Sequence, residues 1–209
     1  MEPKPRTSAR VLALALSAAA VLAVGCRPTY PTIFPLEWRG VDDIPRPSSP
    51  VAEGLRKHTL RLETFVDKRA EPTKIGLFQE DRVTVRTSSD VAGYCTAKFG
   101  ELLTKAGAKI ATTGATVTIK PELVAFEVVE SEMFNGEAVI RITALENDKV
   151  IYEGTHSGKS KRWGRSRSPD NYNEALSNAL FEAMKELLKD ELLAKALGAA
   201  TIGGPSTPI

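Results

Sequence analysis

Cysteine and histidine are nearly absent from this chain. Two cysteines in 209 residues, Cys26 and Cys95, exclude a disulfide-dense scaffold and a cysteine zinc site. Two histidines far apart, His58 and His156, leave little material for a metal centre. An excess of one charge is missing too: 28 Lys and Arg face 26 Asp and Glu, a formal net charge of +2. A dedicated nucleic-acid binder carries a clear basic excess, so that class is set aside. A membrane-spanning apolar run is also lacking. Val11 to Val24, interrupted only by Ser17, extends roughly 21 Å as a helix, short of the ~30 Å hydrocarbon core. What is present suffices for one core: 42% apolar and 26% charged residues, as in an ordinary soluble domain.

The first 26 residues form one unit. Lys4, Arg6 and Arg10 give a positive start, the apolar run follows, and it ends in Leu22-Ala23-Val24-Gly25-Cys26. A positive start, a short apolar stretch and small residues before a cut site predict a signal peptide over 1–25. Small residues directly before a cysteine resemble the lipobox of bacterial lipoproteins. That resemblance implies diacylglyceryl transfer to Cys26, cleavage after Gly25 and acylation of the new N-terminus. Ala23 departs from the motif, which prefers Leu there, while Leu22 stands one place early. The alternative is an ordinary secreted protein cut nearby, with Cys26 incidental. Removing residues 1–25 takes away three basic residues and Glu2, leaving 25 basic and 25 acidic residues.

Residues 26–56 hold Pro28, Pro31, Pro35, Pro45, Pro47 and Pro50, and read as an extended, lipidated tether rather than a helix. Tyr30, Phe34 and Trp38 are unusual for a linker; they pack on the domain or sit at the lipid surface. Residues 198–209, rich in Gly, Ala and Pro, read as a disordered tail.

The segment 57–197 reads as a single α+β domain of order β-β-α-β-β-β-α, about five mostly antiparallel strands with two helices on one face. Leu60, Leu62 and Phe65 mark a first strand and Val83 to Arg86 a second. Ser88, Ser89 and Asp90 offer a helix cap; Val91, Cys95, Phe99, Leu102 and Ala106 recur at helical spacing, and Gly107 suits the position after the helix end. Val117 and Ile119 open a strand that continues past Pro121 to Val129, and that proline suggests an edge or a bulge. Ala138, Ile140, Ile142 and Ala144 alternate strictly, and an Asn147-Asp148 turn leads into a strand from Val150 to about Lys161. Ser168-Pro169 starts a long amphipathic helix running to about Leu197.

Asp67-Lys68-Arg69 followed by Ile75-Gly76, the helix end Leu102 to Gly107, the alternating meander and Asn173-Glu174-Ala175-Leu176 together resemble the YajG-type family of uncharacterised bacterial envelope lipoproteins. The resemblance covers residues 57–195. It implies an envelope-anchored α+β domain and carries over no catalytic residue.

Several stretches could carry chemistry. Gly154 to Ser160 superficially resembles a phosphate loop, but its glycines are one residue too close and no helix follows directly, so a glycine-containing strand is expected. Lys159, Lys161, Arg162, Arg165 and Arg167 with Trp163 among them form the densest cationic run, a candidate contact for an anionic surface. Charge runs are more often solvated strand ends. Asp67 and Arg69 read as a turn with a local ion pair. Alternation separates Glu127 from Glu130 and Glu132, which argues against a shared cation site. Cys95, on the apolar helix stripe, reads as a buried thiol. Phe181, Leu188 and Leu192 form a second apolar stripe on the last helix, covered by the tether aromatics, by a partner or by a second copy.

The expectation is therefore a non-enzymatic lipoprotein without cofactor or metal. It would bind or scaffold in the periplasm by contact with the membrane and an envelope protein, anionic lipid or peptidoglycan, not nucleic acid. The alternative is an accessory to outer-membrane or lipopolysaccharide assembly; a hydrolase of envelope polymers is less favoured, for want of a nucleophile–base pair. Arg27, where an aspartate often retains lipoproteins at the inner membrane, favours the outer membrane.

Overall fold

The structure, a computed structural model, describes residues 32–41, 45–80 and 82–198. The predicted signal peptide, Cys26 and the tail from residue 199 onward lie outside the described residues. Within these bounds the chain is a mixed α+β domain with nine strands in one sheet and four helices.

The sheet is built on three long strands, β7 (Val117–Glu130), β8 (Phe134–Glu146) and β9 (Lys149–Arg162). They form the expected antiparallel meander, with Val117 opposite Glu146 and Phe134 opposite Arg162. Asn147 and Asp148 both adopt positive φ, 49° and 62°, the geometry of a tight hairpin turn between twisted strands. Alternation puts Leu123, Ile140 and Ile142 inward, essentially without solvent exposure.

The other side of β7 departs from the expected antiparallel, five-strand sheet. Three short strands pair with it in parallel, one after another along its length: β2 (Thr59–Leu62), β3 (Val66–Asp67) and β4 (Lys74–Phe78). Beyond them, β5 (Val83–Thr87) runs antiparallel to β4, β1 (Ile33–Phe34) parallel to β5, and β6 (Lys109–Ile110) parallel to β2. Strands of two to five residues are too short to display a convincing period of two, so their pairing is decided by the long strand they join. Pro121 falls between the β2 and β3 pairings, where the ladder on that side changes partner, and β7 bulges between Leu123 and Ala125.

Four helices complete the domain: α1 (Ser49–Lys57), α2 (Val91–Lys105), α3 (Pro169–Leu187) and α4 (Glu191–Ala196). In α2 the predicted stripe Val91, Cys95, Phe99 and Leu102 is buried, and Gly107 closes the helix at φ 97° with Ala108 N–H donating to the Leu103 carbonyl at 3.0 Å. Ala175, Ala179 and Ala183 line the face of α3 that lies on the sheet. Small residues there let the helix backbone approach two glycines. A Cβ at Gly136 would sit 2.6 Å from the Ala175 carbonyl oxygen, and one at Gly158 would overlap that of Ala179. Replacing either would push helix and sheet apart.

Two expectations about element ends are corrected. The long C-terminal helix breaks at Leu188–Asp190. Asp190 turns the chain and caps α4, its Oδ1 accepting from Leu192 N–H at 2.7 Å and Leu193 N–H at 3.4 Å. The described part of the 26–56 segment is not an extended tether. Residues 32–41 form a strap on the domain, and Pro50 occupies the first turn of α1, where a missing N–H costs nothing.

The strap is held by polar side chains of α3. Asn173 Oδ1 accepts from Glu37 N–H at 3.2 Å, Ser177 Oγ from Arg39 N–H at 3.0 Å, and Asn178 Oδ1 from Val41 N–H at 3.1 Å. Phe34 is buried with its ring 5.7 Å from that of Tyr172, and Trp38 is half-buried beneath the Lys98 ammonium.

Candidate functional site

The cationic run does not form one surface. It begins on β9, whose alternation sends Lys159 and Lys161 to the open face of the sheet and Arg162 to the helix side. Arg162 Nε pairs with Glu174 of α3 at 2.7 Å, and Lys159 Nζ lies 3.7 Å from Glu137. Lys159 and Lys161 line a shallow groove that also contains Glu127 and Glu137, so its charge is mixed. Arg167 turns inward: its guanidinium stacks over Phe78 at 4.2 Å, and its backbone N–H donates to Glu130 Oε1 at 2.9 Å. Ser166 Oγ donates to the same oxygen at 2.6 Å. Two of the five cations are thus engaged in packing the sheet end. Lys161, Arg165 and Trp163, 67% exposed, remain directed at solvent.

Glu130, grouped in sequence with Glu127 and Glu132, is buried, and its carboxylate organises the loop between β9 and α3. Burial and the neighbouring Glu130 raise the Tyr172 hydroxyl pKa well above its ordinary value. Glu127 instead lies 3.8 Å from Lys74, so the three acids share no site. No cluster able to hold a metal ion occurs among the described residues.

Asp67 and Arg69 are more than a turn. Between its pairings with β3 and β4, β7 has no strand partner on that side, and the Arg69 guanidinium fills the gap. It donates to Asp67 Oδ1 at 2.9 Å and Oδ2 at 2.7 Å, and to the carbonyls of Pro72, Lys74 and Phe126. Arg69 is 9% and Asp67 13% exposed. Burial pushes the Asp67 carboxyl up, but the hydrogen bonds from Arg69 outweigh it and hold the pKa below the usual carboxylate value.

A second buried polar group joins Tyr152 and His156 of β9 to Asp190. The Tyr152 hydroxyl donates to Asp190 Oδ2 at 2.7 Å. Having spent its proton there, it accepts from His156 Nε2 at 2.6 Å, which fixes the tautomer. Burial lowers the His156 pKa, against the attraction of Asp190 and Glu186. The Asp190 carboxylate also caps α4, so this chain of three ends on a structural task. Sequence reading missed it, since His156 and Asp190 lie 34 positions apart.

The stripe Phe181, Leu188 and Leu192 divides. Phe181 and Leu188 are buried, 2% and 0% exposed, while Leu192 is 67% exposed. The cover near Leu188 comes from α1 and α4: Ser48 N–H donates to the Leu188 carbonyl at 2.9 Å, and Leu55, Leu193 and Leu197 gather beside it. Of the tether aromatics, one of the covers expected for the stripe, Tyr30 lies outside the described residues and the other two lie elsewhere. Phe34 packs on Tyr172 and Trp38 beside Lys98. Cys95 is fully buried, and burial raises its thiol far above the ordinary pKa, which keeps it protonated and unreactive. Among the described residues no helix is long and apolar enough to cross a membrane.

No protein-family model and no curated protein matches the chain. Solved structures do. A DUF330 protein of Xanthomonas campestris aligns with TM-score 0.53 at 13% identity, over 78% of this chain and 95% of its own. That likeness establishes a shared α+β fold. Looser alignments are to a protein of Caulobacter crescentus (TM-score 0.45, 14% identity, 72% of this chain and 97% of that one) and to a lipoprotein of Neisseria meningitidis (TM-score 0.35, 7%, 49% and 83%).

Proposed function

We propose that the chain is a lipid-anchored protein of the bacterial envelope that works without catalysis, as a binding or scaffolding module facing the periplasm. The observation that carries this reading is the leader: a positive start, a short apolar run, and Leu22-Ala23-Val24-Gly25-Cys26 at its end. An acylated Cys26 would hold the domain close to the lipid. Only five residues separate Cys26 from Thr32, where the strap begins, so the six steps between them reach at most roughly 20 Å when fully extended. The strap thereby replaces the long reach expected of a 30-residue tether. Two or more acyl chains would make the attachment stable. A role without catalysis is supported by the structural ends of the buried polar groups: Arg69 on carbonyls, Asp190 on a helix cap, Glu130 on a loop.

Metabolic labelling with palmitate tests the anchor. Incorporation in the native chain and its loss in Cys26→Ala are expected. A label that survives in Cys26→Ala, or no label in the native chain, would refute lipidation. Arg27 supports an outer-membrane destination, which fractionation of the labelled cells checks.

An anionic-surface contact is the second reading. It is favoured by the exposure of Lys161, Trp163 and Arg165 and weakened by the acids that share the groove. An accessory role in outer-membrane or lipopolysaccharide assembly is the same module with a particular partner, and crosslinking in cells followed by mass spectrometry separates it.

A further inference from the structure

Strand β9 runs for 14 residues and, among the described residues, pairs on one side only, with β8. Glu153, Thr155, Ser157, Lys159 and Lys161 are exposed along it. An unpaired edge of this length is a template for another strand. Proteins commonly blunt such an edge by keeping it short or by placing proline in it; this one is long and contains no proline.

The order of its side chains says which strand fits. On the open face an acid, Glu153, is followed by two hydroxyls, Thr155 and Ser157, and then by two bases, Lys159 and Lys161. Turned through a two-fold axis near His156–Ser157, the strand meets its own complement. Glu153 of one copy lies against Lys159 and Lys161 of the other, twice by symmetry, with one directly opposite and one diagonal, both within reach of long side chains. Thr155 and Ser157 occupy the middle, where small side chains let the strands close. The exposed apolar groups lie at the two ends, Val150 at 60% and Trp163 at 67%, and the same axis brings them together. A parallel, in-register pair would instead set lysine against lysine.

We propose that β9 pairs antiparallel with β9 of a second copy of this chain, joining two sheets into one. Such an interface is isologous and closes at two copies. The axis runs perpendicular to the sheet and keeps the helices of both copies on the same side. The proposal goes beyond the lipid reading and does not depend on it.

Sedimentation equilibrium of the processed chain extracted in mild detergent tests it. A concentration-dependent monomer–dimer equilibrium is expected. Glu153→Lys should weaken it about tenfold or more, because it creates two sets of like-charge pairs. The triple variant Glu153→Lys with Lys159→Glu and Lys161→Glu restores the complement and should return the affinity to within about threefold of the original. A monomer at every concentration would overturn the proposal and make the lysines guards of a free edge. A dimer indifferent to Glu153→Lys, or one the triple variant fails to restore, would overturn this pairing. A palmitate-labelled monomer refutes the dimer and leaves the lipoprotein reading standing; an unlabelled dimer does the reverse.

Discussion

Arg69 and the cations between Lys159 and Arg167 carry the same charge and meet opposite fates. Arg69 stands almost alone in the sequence, beside one lysine, and is enclosed by a carboxylate and three carbonyls. The five cations near the end of β9 are crowded in sequence and scattered in space, two drawn inward and three left on the surface. The difference lies in the acceptors. A cation becomes structural where backbone carbonyls lack strand partners, as between β3 and β4 along β7, and charge density along the chain says little about that.

The comparison can be broken most severely at Arg69. Arg69→Ala leaves Asp67 charged and largely buried, with three carbonyls unpaired, and should cost about 3–5 kcal/mol in chemical denaturation. Arg69→Lys should recover little, since a point charge cannot span Asp67 and the Phe126 carbonyl together. The Asp67 pKa is lowered in the folded state, so its contribution is present above the ordinary carboxylate range and lost as pH falls through the folded value. Arg69→Ala should remove that acid dependence.

The strap gives the next largest effect. Ser177→Ala leaves the Arg39 N–H without its acceptor and should cost about 1–3 kcal/mol. Hydrogen exchange should then rise in residues 36–41 more than in the sheet.

His156 sharpens the contrast between buried and exposed groups through pH. Its folded pKa is lowered, so the unfolded chain takes up its proton first as pH falls. Stability should decline on acidification from about pH 6.5, and His156→Gln should flatten that part of the profile. An unchanged slope would show that His156 does not titrate on unfolding.

The smallest effect is expected at the surface. Lys161→Gln with Arg165→Gln should change stability by no more than about 0.5 kcal/mol. Binding to anionic vesicles, if the unmodified chain shows any, should weaken with salt and with these two changes. A large stability loss would mean that the two side chains hold structure after all.

The long elements were legible in the sequence. Ala138, Ile140, Ile142 and Ala144 alternate strictly because the strand they lie in has one buried face, and Val91, Cys95, Phe99 and Leu102 mark one helix stripe for the same reason. The strap was legible only in part: its prolines suggest a free linker, Phe34 and Trp38 left packing on the domain open, and a further signal was two polar residues on α3, Asn173 and Ser177. They are buried because they satisfy backbone groups of the strap. Of the cations and the indole singled out near the end of β9, Lys159, Lys161 and Trp163 are exposed, but sequence could not separate them from Arg162 and Arg167, whose partners Glu174 and Phe78 come from other elements.

By itself the sequence determined the periodic parts of this protein: three long strands, the helix stripes and the hairpin turn at Asn147-Asp148. Those features are local, and a local pattern is enough to specify them. Tertiary structure decided which short strands run parallel to β7, where a gap in the sheet takes an arginine, and which cations remain outside. These depend on backbone groups that find or lack a partner only after distant segments have come together.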